Sequence, residues 1–243
     1  EIMPSLVGSE MCIRDRLSAQ LTEKKNDAAV NRMYGQTQTV QENADGQQIT
    51  LTVLDEYKSL YNQNKNLIGW LEIADTNIDY PVMQTADNEY YLDHNINQEE
   101  DKNGTLFLDS ACDVVKPSTN FIIYGHNMRS GNMFGNLDKY KSESYYKDHP
   151  MIRFDTIYEK GTYQVMYAFM SHIYKEDEIA FKYYQFIDAA SEQEFDSDMR
   201  SMQEMALYDT GVTAQYGDRL LTLSTCDYEE SDGRFVVVAK RME

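Results

Sequence analysis

At 243 residues, 42% of them apolar and 12% aromatic, the chain can bury a sizeable core, and its length suits one domain with an extension. A formal net charge of −19 repels other polyanions, which sets aside nucleic acid and bare anionic lipid as partners. No run of about twenty apolar residues is present to span a membrane or to form an intact secretion signal.

Nineteen tyrosines, four prolines and scattered Val, Ile and Thr runs favour pleated, half-buried strands over a helical bundle. Residues 1–16 (EIMPSLVGSEMCIRDR) differ in composition from the rest of the chain and read as a translated sequencing adapter, a non-native leader in which Cys12 carries no meaning. Residues 17–50 are polar, with weak helical periodicity through Leu17, Leu21, Val30 and Met33, and read as a stalk or linker. The remainder, 51–243, reads as one domain. Val53, Leu54, Tyr57, Leu60 and Tyr61 recur at amphipathic-helix spacing and predict a helix over Thr52–Asn66.

Eight β-type runs separated by turn residues come next: Ile68–Ile73, Ile78–Gln84, Thr105–Asp109, Asn120–Gly125, Met151–Thr156, Thr162–Ser171, Arg219–Thr225 and Arg234–Arg241. So many strands in one domain predict a closed or nearly closed barrel, which removes exposed sheet edges. A short helix is expected at Met133–Tyr140. A long one is expected between the sixth and seventh strands, opened by the capping-box pair Ser191 and Glu194 and carrying Phe195, Met199, Met202 and Ala206 on one face. The fold class is therefore mainly β (α+β).

The run LLTLSTC is a strand ending in Cys226, followed by the loop Asp227–Gly233 and a second strand that begins at Arg234. Antiparallel pairing across that loop would set Cys226 and Arg234 at the same sheet end, about 5–8 Å apart. A guanidinium beside a thiol favours the thiolate and can also donate hydrogen bonds to a tetrahedral oxyanion. His126, in IIYGHN, ends another apolar strand, and Gly125 is expected to let the backbone turn sharply so that the imidazole stands over the rim. A histidine titrates in the range needed to handle the thiol's proton and later to protonate a leaving amine.

Singly, each residue has a plainer reading: a strand-end cysteine is usually a small buried hydrophobe, a histidine a structural hydrogen bonder, an arginine a solvated surface group. The combination is more specific. YGHN, then TLSTC about a hundred residues later, then RFVVVAKR, closely resembles the sortase family of cysteine transpeptidases over roughly residues 51–243. The first helix, the segment GWLEI…IDYPV and the long helix before the cysteine strand resemble class B members. The resemblance implies an eight-stranded barrel, with His126, Cys226 and Arg234 as the catalytic set. It also implies substrate contacts at Ser224 and Thr225 and no cofactor. Its expected partners are secreted proteins bearing an NPQTN-like sorting motif and an amine of peptidoglycan or its lipid-linked precursor. The expected location is the outer face of a Gram-positive cell membrane, reached through an N-terminal anchor, with the residues between Tyr174 and Gln215 forming one wall of the groove.

The cysteines Cys12, Cys112 and Cys226 match no zinc or disulfide spacing, and their odd count leaves at least one free thiol. His94, His149 and His172 lack metalloprotease spacing and are expected to be structural or exposed, Cys112 among acidic neighbours a bystander, and Gln98–Asp101 a solvated acidic loop; no metal is expected. Two other functions fit parts of the pattern. A papain-like cell-wall peptidase normally places its nucleophile before its histidine, the reverse of the order here. A non-catalytic surface barrel would keep the shape with an inert Cys226.

Overall fold

The computed structural model describes residues 38–42, 48–227 and 232–242. The expected leader, Cys12 and the periodic positions Leu17, Leu21, Val30 and Met33 lie outside the described residues. The polar segment read as a stalk carries a two-stranded antiparallel hairpin near its end, β1 (Gln38–Glu42) and β2 (Gln48–Thr52), with Gln38 opposite Thr52. Its β-branched residues, Thr39, Val40, Ile49, Thr50 and Thr52, suit a pleated backbone better than a helix.

The first helix, α1 (Asp55–Gln63), is shorter than expected. Thr52 belongs to β2 at one end. At the other, Asn64 is extended and its side-chain amide donates to Tyr91 Oη (3.0 Å) and to the Ile96 carbonyl (2.7 Å), which stops the helix. The apolar stripe faces inward as its spacing requires, with Val53, Tyr57 and Tyr61 buried.

Eight strands then close a barrel: β3 (Leu67–Glu72), β4 (Asp79–Met83), β5 (Leu106–Leu108), β6 (Asn120–Tyr124), β7 (Met151–Thr156), β8 (Thr162–His172), β9 (Leu220–Cys226) and β10 (Gly233–Arg241). Round the barrel they run β10-β8-β7-β3-β4-β5-β6-β9, with β9 pairing β10 to complete the circuit. Two of these pairings are parallel, β4 with β5 and β6 with β9; the others are antiparallel. The parallel β6–β9 pair is the important one, because parallel neighbours bring their C-terminal ends to the same rim.

Of the helix expected at Met133–Tyr140 only the second half is helical, as a 3₁₀ turn. Met133 has φ +51° and forms a bridge with Asn127, and Phe134 N donates to the His126 carbonyl (3.0 Å). The chain therefore folds back on His126 before a 3₁₀ turn at Leu137–Lys141 and a helix, α2 (Glu143–Asp148). A left-handed residue cannot be accommodated in the body of a right-handed helix, so the apolar spacing was overridden by a tight turn. The long helix, α3 (Glu192–Met205), begins as expected with Ser191 Oγ accepting from Glu194 N (3.2 Å). Its reciprocal bond runs to Ala190 N (2.8 Å) rather than to Ser191, and Ala206 lies just past the helix as its C-cap.

Two apolar clusters result. One fills the barrel and the space under α1, with Leu71, Val82, Phe121, Ile123, Leu223 and Phe235 among its members. The other lies outside the barrel, where Tyr183, Phe186, Phe195, Met199 and Met202 cover Phe169, Leu220, Val236 and Val238. The segment between β8 and β9 is thus a second layer on the β8-β10-β9 face.

Candidate active site

Three neighbouring strands, β6, β9 and β10, deliver the expected residues to one rim. Arg234 and Cys226 are direct partners in the antiparallel β9–β10 register, so their side chains leave the same face of the sheet. In the parallel β6–β9 register Tyr124 stands beside Ser224, and Gly125 N donates to the Ser224 carbonyl (3.3 Å). Continuing that register sets His126 beside Cys226. Pairing of β9 with β10 thus sets the thiol beside the guanidinium, and pairing of β6 with β9 leads the chain to His126 at the same rim.

Cys226 is 6% exposed and Arg234 only 2%. Burying a guanidinium is costly unless its donors are satisfied, and Arg234 Nη1 donates to the carbonyls of Gly233 (2.9 Å) and Asp232 (3.3 Å). Ser224 and Thr225, expected to touch substrate, are each 1% exposed and turn to protein partners on opposite faces of β9. Ser224 Oγ shares a 2.7 Å hydrogen bond with Tyr183 Oη, and Thr225 Oγ1 donates to the Gly125 carbonyl (2.8 Å).

Tyr183 is a residue that sequence reasoning missed. Burial pushes its phenol up to about 12, while the Arg234 guanidinium and the Ser224 bond pull the other way and Cys226 adds to the rise, so its hydroxyl sits within the electrostatic reach of both site residues. Nothing local marks it, since it comes from the outer layer 41 positions before Ser224. Asp227 is another: its carboxylate pairs with Lys141 at 3.2 Å, and Lys141 also lies over the Phe235 ring.

Gly125 is required for space rather than for an unusual turn, contrary to expectation. Among described glycines it is not one of those with positive φ, whereas a Cβ there would collide with Leu106 and come within 2.8 Å of Phe134. His126 is partly buried, and its Nε2 meets the Leu92 carbonyl at 2.6 Å. Beside it opens a cavity of about 750 Å³ whose wall includes Leu92, Asp87, Glu89, Asp93, Glu100 and Asp101. The acidic loop therefore borders the rim rather than standing apart from it.

Of the other candidates, His94 lines the same cavity as His126, and His172 ends β8 opposite Gly233. His94 stacks on Tyr90 and bonds Asp93 (2.7 Å), His149 bonds the Tyr145 carbonyl (3.0 Å), and His172 lies 4.0 Å from Glu178. Cys112 is fully buried with its Sγ 3.4 Å from the Asn120 carbonyl.

A closed eight-stranded barrel with cysteine, histidine and arginine at the ends of adjacent strands defines a cysteine acyl-transfer class. Residues 71–242 match the sortase domain model. Sortase B of Listeria monocytogenes is 35% identical over 193 residues, 77% of this chain and 74% of that protein. The structure of sortase B from B. anthracis in complex with AAEK1 superposes with a TM-score of 0.70 at 31% identity, covering 93% of this chain and 96% of that one. A Staphylococcus aureus sortase B–substrate complex gives 0.71 at 30% identity, covering 79% and 86%. The chain belongs to the sortase family, on the class B branch.

Proposed function

We propose that this sortase cleaves a C-terminal sorting motif of secreted proteins after a threonine and transfers the acyl group to an amine of peptidoglycan or its lipid-linked precursor. The observation that carries the reading is the register that sets Arg234 opposite Cys226, with His126 at the end of the parallel neighbour. In it, the Cys226 thiolate attacks the threonine carbonyl carbon, and the electron pair moves to oxygen, where Arg234 stabilises the charge. Collapse breaks the C–N bond, the departing amine takes a proton from His126, and a thioester remains. An incoming amine then loses a proton to His126 as it attacks the thioester, which releases Cys226 and forms the new amide.

The acidic cavity against His126 offers a protonated amine a favourable approach to that base. Ser224 and Thr225 line the strand beneath the groove; direct contact of Ser224 with substrate requires the Tyr183 hydroxyl to turn away from it. In this reading residues 51–243 are the catalytic domain and residues 17–50 lead toward a membrane anchor, with catalysis on the outer face of a Gram-positive membrane. No helix among the described residues is long and apolar enough to cross a membrane.

Fluorogenic sorting-motif peptides, offered with and without triglycine to the wild type and to Cys226→Ala, test the reading. Cleavage confined to the wild type, with an amine-dependent ligation product, is the expected outcome. A wild type that cleaves none of the peptides and carries no adduct on Cys226 would instead favour a non-catalytic barrel.

A further inference from the structure

The β6–β9 ladder stops short of the residues it serves. Its last backbone rung is Gly125 N to the Ser224 carbonyl, one position before His126 and two before Cys226. Beyond it, side chains take over. Thr225 Oγ1 donates to the Gly125 carbonyl at 2.8 Å, and Asn127 Nδ2 donates to the Cys226 carbonyl at 2.9 Å. In a parallel ladder running on in this register, the Asn127 backbone amide would meet that same carbonyl. The asparagine side chain extends the ladder across the gap where His126 leaves the sheet.

We infer that Asn127 is a positioning residue for the acyl-transfer reaction, holding the His126 turn against the backbone of Cys226. The inference rests on the proposed roles of His126 and Cys226. Asn127 is 9% exposed and its side-chain amide bridges 99 sequence positions to the carbonyl of Cys226 itself. The turn has a second anchor on its far side, Phe134, whose N–H holds the His126 carbonyl and whose ring packs beneath Gly125. Phe134 fixes the turn to the barrel interior. Asn127 fixes it to the strand that bears the thiol, and so sets the separation between imidazole and sulfur. A displacement of about 1 Å between reacting groups can cost on the order of 100-fold in rate.

The test compares Asn127→Asp, which keeps shape and loses the donor, and Asn127→Ala with the wild type and with His126→Ala. The rate of Cys226 alkylation by iodoacetamide is followed across about pH 5 to pH 10 by intact mass; this probe needs no knowledge of the sorting motif. The expected result is that the pH profiles of both Asn127 variants leave the wild-type curve and move toward that of His126→Ala. In turnover of an NPQTN peptide, kcat falls on the order of 10- to 100-fold with KM within about twofold. Asn127→Asp and Asn127→Ala profiles that coincide with the wild type, while His126→Ala differs, would overturn the inference. A His126→Ala profile identical to the wild type would bring down the pairing of His126 with Cys226 and the inference with it. If Asn127→Ala fails to fold, Asn127→Asp alone decides.

Discussion

The strand pair β9–β10 ends in arginines at both extremities, and the two ends are built differently. At the closed end Arg219, just before β9, and Arg241, at the end of β10, both grip Glu159 on the β7–β8 turn, and Arg241 N donates to the Arg219 carbonyl (2.8 Å). All three side chains there remain partly exposed, between 19% and 35%. At the rim Arg234 is 2% exposed, and its Nη1 is held by backbone carbonyls. The closed end is a clamp whose charges share one partly hydrated cluster. The rim instead holds its guanidinium desolvated, at the strand position opposite a thiol.

That contrast predicts graded effects. Arg234→Ala should lower kcat on the order of 100- to 1,000-fold in steady-state cleavage assays, with melting temperature changed little. Arg234→Lys should recover only part of the loss, because an ammonium cannot reproduce the planar fork of donors. A rate near the wild type in either variant would remove the distinction between the two ends.

Tyr183→Phe comes next in size. It strands the buried Ser224 hydroxyl, with an expected cost of about 1–3 kcal/mol in denaturant unfolding. Pairing it with Ser224→Ala makes a double-mutant cycle, and the double variant should lose less than the sum of the singles. Strict additivity would mean that the outer layer does not support the rim through that bond.

The smallest effect belongs to the clamp. Burial alone would raise the Glu159 carboxyl, but the contacts with Arg219 and Arg241 more than reverse this and hold it below its usual 4.5. A carboxyl lowered in the folded state contributes stability that is complete above its unfolded value and is lost as pH falls through the folded one. Glu159→Gln should therefore cost on the order of 1 kcal/mol at neutral pH, less at high salt. The melting-temperature gap between wild type and variant should narrow as pH falls below 4.5. Activity at neutral pH should be unchanged.

The same two regions show what sequence reveals. The strand that ends at Cys226 and the one that begins near Arg234 were legible because apolar runs are cut by Asp, Ser and Gly, and their pairing followed from the short loop between them. The start of α3 was legible from a local side-chain contact, Ser191 with Glu194. What was not legible depends on contacts between distant segments or on single dihedral angles. Met133 carries apolar helix spacing yet sits at positive φ, and Gly125 looks like a hinge but is small because Leu106 and Phe134 occupy the space. Asn127, Tyr183 and Lys141 reach the rim from separate parts of the chain, and no spacing in one sequence announces a partner 99 residues away. The hairpin at Gln38–Thr52 was hidden by its setting, at the end of a segment rich in Gln, Asn, Lys and Glu.

The most direct test of the account is trapping of the acyl-enzyme: the protein is mixed with sorting-motif peptide without amine, quenched, and its Cys226-containing fragment weighed by mass spectrometry. The account predicts a thioester on Cys226 that added triglycine discharges as ligated peptide, and no adduct in Cys226→Ala. Ligation that proceeds undiminished in Cys226→Ala, or an acyl group carried on another residue, would contradict it.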